Sequence, residues 1–306
     1  MTRTIVVLAV AVVGWGVTGG WAAELENAWS AGVAGFRAPF PVFRVSASFG
    51  SDRTLIEMLR RGDSPAQRAA AAGALVSYVI HSYDARSALV DCLQDSREED
   101  SVRREAAKTL SYASNDSAVR EALRDTAGSN RESEDLRSIC LKSMYRMTNT
   151  EAKGLLDVLD DSHESAAVRG AAAWGLFKAA NQVDVRRGLE SCASDRREDA
   201  PLRAECLKSL FGQAHTVEIR NLFLKTAQDR REESLLRSIA TLALINRTNE
   251  YEVRRILEGM ASSDQDGEVR LAAVKALSRV VDEYVAGIFH LDQVGPVTPR
   301  NPLLYE

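Results

Sequence analysis

Seven arginines recur along the chain at nearly constant distance: Arg68, Arg103, Arg137, Arg169, Arg203, Arg237 and Arg270, separated by 35, 34, 32, 34, 34 and 33 residues. Guanidinium groups in such a row offer planar forks of donors, suited to phosphate or carboxylate. Two uses follow. An exposed row would bind an anionic ligand; a row lying on an apolar face must instead be satisfied internally, by acids or helix-end carbonyls of the same or the adjacent unit, because an unpaired buried charge is costly. The flanking residues favour the second use, a stacking ladder.

Other reactive residue types form no recognisable constellation. His81, His163, His215 and His290 make no His-Glu-x-x-His pair, there is no Cys-x-x-Cys set, and neither a phosphate-binding glycine loop nor a Gly-x-Ser-x-Gly elbow is present. The sequence therefore offers no catalytic residues and no metal or cofactor site. Acidic runs such as Arg97-Glu98-Glu99-Asp100 and Arg230-Arg231-Glu232-Glu233 read as solvated turns and helix caps. Of the four cysteines, Cys140 and Cys206 hold one helix position two units apart, and Cys92 and Cys192 another three units apart, beyond disulfide reach. Only Cys192 with Cys206, on two helices of one unit, would come close.

The elements that carry the arginines are helices. Around each arginine, the residue before is Val102, Leu136, Val168, Leu202, Leu236 or Val269. Three after it stands Ala71, Ala106, Cys140, Ala172, Cys206, Ala240 or Ala273, and seven after it Leu75, Leu110, Met144, Leu176, Leu210, Leu244 or Leu277. At about 100° per residue these fall on one stripe that includes the arginine. Four residues before the arginine, Glu99, Ser133, Ser165, Asp199, Glu233 and Asp266 suit the start of this helix. A second cationic series, Arg86, Arg120, Lys153, Arg186, Arg220 and Arg254, marks a first helix in each unit, with Leu89, Leu123, Leu156, Leu189, Phe223 and Leu257 three residues on. Two phase-locked helices every 34 residues or so predict an all-α fold, an α-solenoid (superhelix) of about seven stacked two-helix units.

The segments Asp100–Leu110 (DSVRREAAKTL), Asp199–Leu210 (DAPLRAECLKSL) and Asp266–Leu277 (DGEVRLAAVKAL) resemble HEAT repeats, close to the short variety of phycobilin-lyase-like proteins. The resemblance covers residues 51–283. It implies architecture firmly and function weakly, since scaffolds, transport receptors, chromophore lyases and DNA-repair glycosylases share the pattern. In such stacks the second helices line the concave side. Five and nine residues after the arginines, on the side away from the stripe, stand Lys108, Lys142, Trp174, Lys208 and Lys275, and Arg146, Lys178 and Arg279. The resemblance thus implies a concave basic ridge, with Trp174 as an apolar anchor, that would bind an acidic segment or domain of a protein partner.

The ends differ from the middle. Residues 1–22 read as a signal peptide, with a basic start, the run IVVLAVAVV and small residues before Ala23, or as an uncleaved anchor; the repeats are then outside the cytoplasm, periplasmic or secreted. Residues 23–50 are aromatic and proline-containing, and 284–306 start as a C-terminal cap and become a proline-rich tail. With 39 basic and 43 acidic residues and a net charge of −4, bulk charge gives no reason to expect a nucleic-acid partner. An exported protein-binding scaffold is the expected function; an enzyme using the groove, or a structural envelope protein, are the alternatives.

Overall fold

The computed structural model describes residues 51–145 and 149–279, together with 281, 285, 288 and 289. The segments 1–22 and 23–50, Arg146, and the tail from residue 290 lie outside the described residues. The described chain is a succession of helical pairs. First helices are α1 (Asp52–Arg61), α3 (Tyr83–Gln94), α5 (Ser117–Gly128), α7 (Asn149–Asp160), α9 (Val183–Ser194), α11 (Val217–Gln228) and α13 (Tyr251–Ser263). Second helices are α2 (Pro65–Ala74), α4 (Asp100–Leu110), α6 (Glu134–Ser143), α8 (Ala166–Gly175), α10 (Ala200–Ser209), α12 (Ser234–Ala243) and α14 (Gly267–Ser278). These seven pairs are the stacked two-helix units read from the sequence. No described helix is long and apolar enough to cross a membrane.

Local chemistry sets the helix starts. Ser64, Ser133, Ser165 and Asp266 stand at N-caps and accept hydrogen bonds from backbone amides of the first turn, while Glu99, Asp199 and Glu233 occupy the same cap position without a side-chain bond. Pro65 and Pro201 stand in the first turns of α2 and α10, where a missing N–H costs nothing. Short 3-10 turns follow most second helices, as at Ser111–Ala113 and Phe211–Gln213, and tighten the passage to the next unit.

Each helix packs on its partner within the unit, and each second helix packs on the second helix of the next unit; contacts between successive first helices are sparser. The apolar stripe forms a continuous core, with Val102, Leu136, Val168, Leu202, Leu236 and Val269 all buried. The close approach of second helices is set by one slot, six residues after the arginine. There the hydroxyl of Thr109 donates to the Ala72 carbonyl at 3.0 Å, and that of Ser209 to the Ala173 carbonyl at 2.8 Å. In unit 4 the slot holds Gly175, where a Cβ would stand 2.8 Å from the Leu141 carbonyl oxygen and 2.7 Å from Leu155 Cδ1.

Gly188 faces only the flexible tip of Leu156. Gly175→Ala is therefore expected to cost about 1–3 kcal/mol through overpacking against backbone, and Gly188→Ala under about 1 kcal/mol. Urea denaturation of the two variants measures the difference, and equal stabilities would refute the close-approach role of Gly175.

Candidate functional site

Two sets of side chains stand out: the arginine ladder and the outer face of the second helices. Five of the ladder arginines are almost fully buried, Arg103 at 3%, Arg137 at 7%, Arg169 at 9%, and Arg203 and Arg237 at 6% relative exposure. Each repeats one geometry. Nε donates to the carbonyl ten residues earlier at the end of the first helix of its own unit: Leu93, Ala127, Leu159, Ala193 and Ala227, at 2.8–3.1 Å. The terminal nitrogens then reach a carboxylate in the turn of the next unit. Arg103 forks onto Glu132 at 2.6 and 2.8 Å, Arg169 onto Glu198 at 2.8 and 2.6 Å, and Arg203 onto Glu232 at 2.9 and 2.8 Å; Arg137 pairs with Glu164 and Arg237 with Asp264. Arg68, less buried, forks onto Glu98 through Nε and Nη2 at 2.7 and 2.8 Å, and its Nη1 donates to the Gly62 carbonyl at 2.8 Å. Hydrogen bonding to these acids raises the already high pKa of Arg68, Arg103 and Arg169, so these three stay charged.

Arg270 departs from the ladder. It is exposed, and its Nη1 donates to the carbonyls of Asp264 and Gln265 in its own turn at 2.7 and 3.1 Å. The reason is positional, because no described unit follows to supply a carboxylate.

The acids of the ladder were hidden in the turn runs. They stand five residues before the arginine in each unit, Glu98, Glu132, Glu164, Glu198 and Glu232, with Asp264 six before. Their recurrence was available in the sequence, where they look like solvated turn residues.

A second ladder lies on the turns between units. Arg86 Nε meets Asp116 at 3.1 Å and Arg86 Nη1 takes the Val79 carbonyl at 3.0 Å; Arg120 pairs with Glu151 and Arg220 Nε with Glu250 at 3.3 Å. Across the middle it lapses, since Lys153 is exposed and the caps reached from units 4 and 5 are Gln182 and Thr216, which carry no charge.

The outer face of the second helices is less uniform than a basic ridge. Lys108 and Lys142 are exposed, as are Lys178 and Arg279, while Lys208 and Lys275 are half-buried. Lys108 is held by Glu105 at 2.9 Å and Lys208 by Glu205 at 2.8 Å, so two of the cations are neutralised locally. Arg279 adopts a left-handed conformation, φ 56°, at the end of α14 and donates to the Thr248 hydroxyl at 2.5 Å. Trp174 is a correction to the sequence reading. It is 6% exposed, not an outward anchor, with its ring edge-on to Tyr145 at 5.5 Å between centroids. The helical wheel points it away from the stripe, but its neighbours Gly170, Ala171 and Ala173 are small, so the indole lies down over the preceding unit. Lys178 Nζ stands 5.4 Å above the same Tyr145 ring.

In unit 6 this face is apolar. Leu242, at the lysine slot, is fully buried, as is the whole of α12 from Leu236 to Ala243. Val285 and Phe289 are buried in the same core, and the Phe289 ring stacks on Phe211 at 4.0 Å.

All four cysteines are free thiols. Burial pushes Cys92 and Cys140 up to about 12, so neither is a nucleophile at neutral pH. Cys192 and Cys206 meet within their unit as hydrogen-bonded thiols; the bond from Cys206 lowers Cys192, while burial and that same bond raise Cys206. A cleft of about 280 Å³ is lined by Arg230, Arg237, Arg255, Met260 and Asp264, and the Arg237–Asp264 pair satisfies its centre. Among the described residues no three His, Cys, Asp or Glu side chains converge as metal ligands.

Helical pairs joined seam to seam by buried guanidinium–carboxylate forks define an α-solenoid. Residues 53–145 match the family model for HEAT repeats, and the same two-helix unit, with the same fork, continues beyond them. No curated protein matches it. Similar solved structures include YibA of Escherichia coli (15% identity, TM-score 0.49, covering 84% of this chain and 90% of that one). The CpcE–CpcF complex of phycocyanin lyase from Nostoc sp. is similar at 16% identity and TM-score 0.46, with 85% and 99% covered. Human deoxyhypusine hydroxylase is similar at 19% identity and TM-score 0.36, with 75% and 85% covered.

Arg169→Met is expected to cost about 3–5 kcal/mol, because Glu198 is left without its partner, and Arg169→Met with Glu198→Leu much less. Chemical denaturation of both variants decides it, and a double variant as unstable as the single one sinks the constraint. Acid dependence follows from two carboxylates. The Arg68 hydrogen bond holds Glu98 below the usual carboxylate range; burial opposes the shift at Asp264, but Arg237 and the Asp266 amide hold it low too. Depressed folded values mean that this stability is present above about pH 4.5 and lost as pH falls through the lowered values. Glu98→Gln is expected to flatten the stability–pH slope between about pH 4.5 and 2, measured by urea titration at each pH.

Proposed function

We propose that this chain is an exported protein-binding scaffold whose second-helix face, around units 2 to 4, receives an acidic segment of a partner protein. One observation carries the reading. The lysines of units 2 and 5 are neutralised by Glu105 and Glu205 three residues earlier, whereas in unit 3 that position holds Ile139, and Lys142 is exposed with no ion pair among the described residues. Beside it the Tyr145 and Trp174 rings form an aromatic floor under Lys178, and Tyr112, 47% exposed, lies one unit back. Cations beside a buried aromatic floor and one partly exposed tyrosine, in a stack otherwise built of paired charges, suit an acidic chain that also carries an apolar anchor. Export is supported by the sequence of residues 1–22, and Ala23 is the expected mature N-terminus of protein recovered from periplasm or medium.

Titration of a fluorescent glutamate-rich peptide bearing one tryptophan tests the face. Lys142→Glu combined with Lys178→Glu is expected to weaken binding at least tenfold, and the wild-type affinity is expected to fall as salt rises. Equal affinity for wild type and variant would remove the proposal.

A further inference from the structure

The two ends of the described array are complementary, and we propose that the chain associates head to tail with a second copy of itself, Arg270 of one copy taking Asp63 of the next. The ladder is directional. Every internal arginine reaches forward to an acid standing five or six residues before the next arginine. Such a stack must leave one arginine over at its C-terminal end and one acid at its N-terminal end. Both are present. Arg270 is exposed and, among the described residues, bonded only to carbonyls of its own turn. Asp63 stands five residues before Arg68, in the register of Glu98 and Glu232; it is exposed, and no guanidinium reaches its carboxylate among the described residues.

The apolar surfaces around these charges are left open in the same complementary way. One and four residues after the ladder arginine, the second helix turns toward the following unit, as the Thr109 bond to the carbonyl of Ala72 shows. These positions are buried or half-buried in units 2 to 6, from Arg104 and Ala107 to Ser238 and Thr241, but in unit 7 they are Leu271 at 42% and Val274 at 53% exposure. One before and two after the arginine, the residues are buried or half-buried in units 2 to 7, and in unit 1 they are Gln67 and Ala70, both exposed. A two-fold contact of one α14 on another would instead set two Arg270 guanidinium groups against each other, which favours the heterologous arrangement. A contact of one helical layer falls below the roughly 800 Å² per partner of stable complexes, so the association is weak and concentration-dependent.

Sedimentation velocity of the full chain up to concentrations on the order of 100 µM tests this. The wild type is expected to form head-to-tail species. Asp63→Arg or Arg270→Glu alone is expected to lower the association constant about tenfold, and the two together in one chain to restore it. Both substitutions are at exposed sites, and unchanged thermal melting confirms that the three variants fold. A wild type that stays monomeric throughout, association indifferent to either charge reversal, or a double variant that fails to recover would each overturn the proposal.

Discussion

Every layer of this protein is tied to the next by a guanidinium that cannot be satisfied within its own unit. The first-helix carbonyl takes Nε, which leaves the terminal nitrogens aimed across the seam, and only a carboxylate at the right height in the next turn completes the set. A lysine could not replace it, because a single ammonium lacks the planar fork that meets one carbonyl and two carboxylate oxygens at once. Such a pair is weak evidence of net stability, since two charges had to leave water. Its effect is on register. A unit stacked one turn too high or low would bury an unpaired charge, so the fork selects one stacking among the several that an Ala- and Leu-rich helix surface would tolerate.

Because each bond runs forward, the stack has a polarity that apolar packing alone would not impose. The second ladder reinforces it where the turns between units carry acids, Asp116, Glu151 and Glu250, and lapses at Gln182 and Thr216. The seams between units 4 and 5 and between units 5 and 6 therefore depend on the Arg169 and Arg203 forks, helped at the latter by the pairing of Arg196 with Asp229 and Glu232. In a linear array each unit contacts only its neighbours, so the loss of either fork weakens its own seam first.

What was legible in the sequence was whatever repeats within one helix. The arginine spacing, the apolar stripe and the caps are local patterns, and the pairs of helices follow from them. The partners of the arginines were not legible because a cap residue and a ladder acid are adjacent: Glu98 and Glu99 both look like turn acids, and only the fold shows that one faces Arg68 while the other stands at the cap of α4. Trp174 was misplaced for a related reason. A helical wheel gives direction from one axis, and the neighbouring unit decides whether that direction leads to water or to the Tyr145 ring. The neutralisation of Lys108 by Glu105 was readable at i, i+3 spacing; the contact of Phe289 with Phe211, 78 residues apart in number, was not.

The second-helix face thus divides along its length by chemistry. In unit 6 its lysine slot is filled by buried Leu242, and the chain's own Val285 and Phe289 are buried in the same core. Toward the N-terminus the same slots carry Lys108 and Lys142, and Tyr112 stays partly in water. A ladder that fixes the spacing of units independently of this face leaves its residues free to vary. The departures from the repeat fall there, at Ile139, Tyr145, Trp174 and Lys178, while the fork residues beneath them stay constant from unit 2 to unit 5. The paired charges of the seams and the variable residues thereby occupy different sides of the same helix.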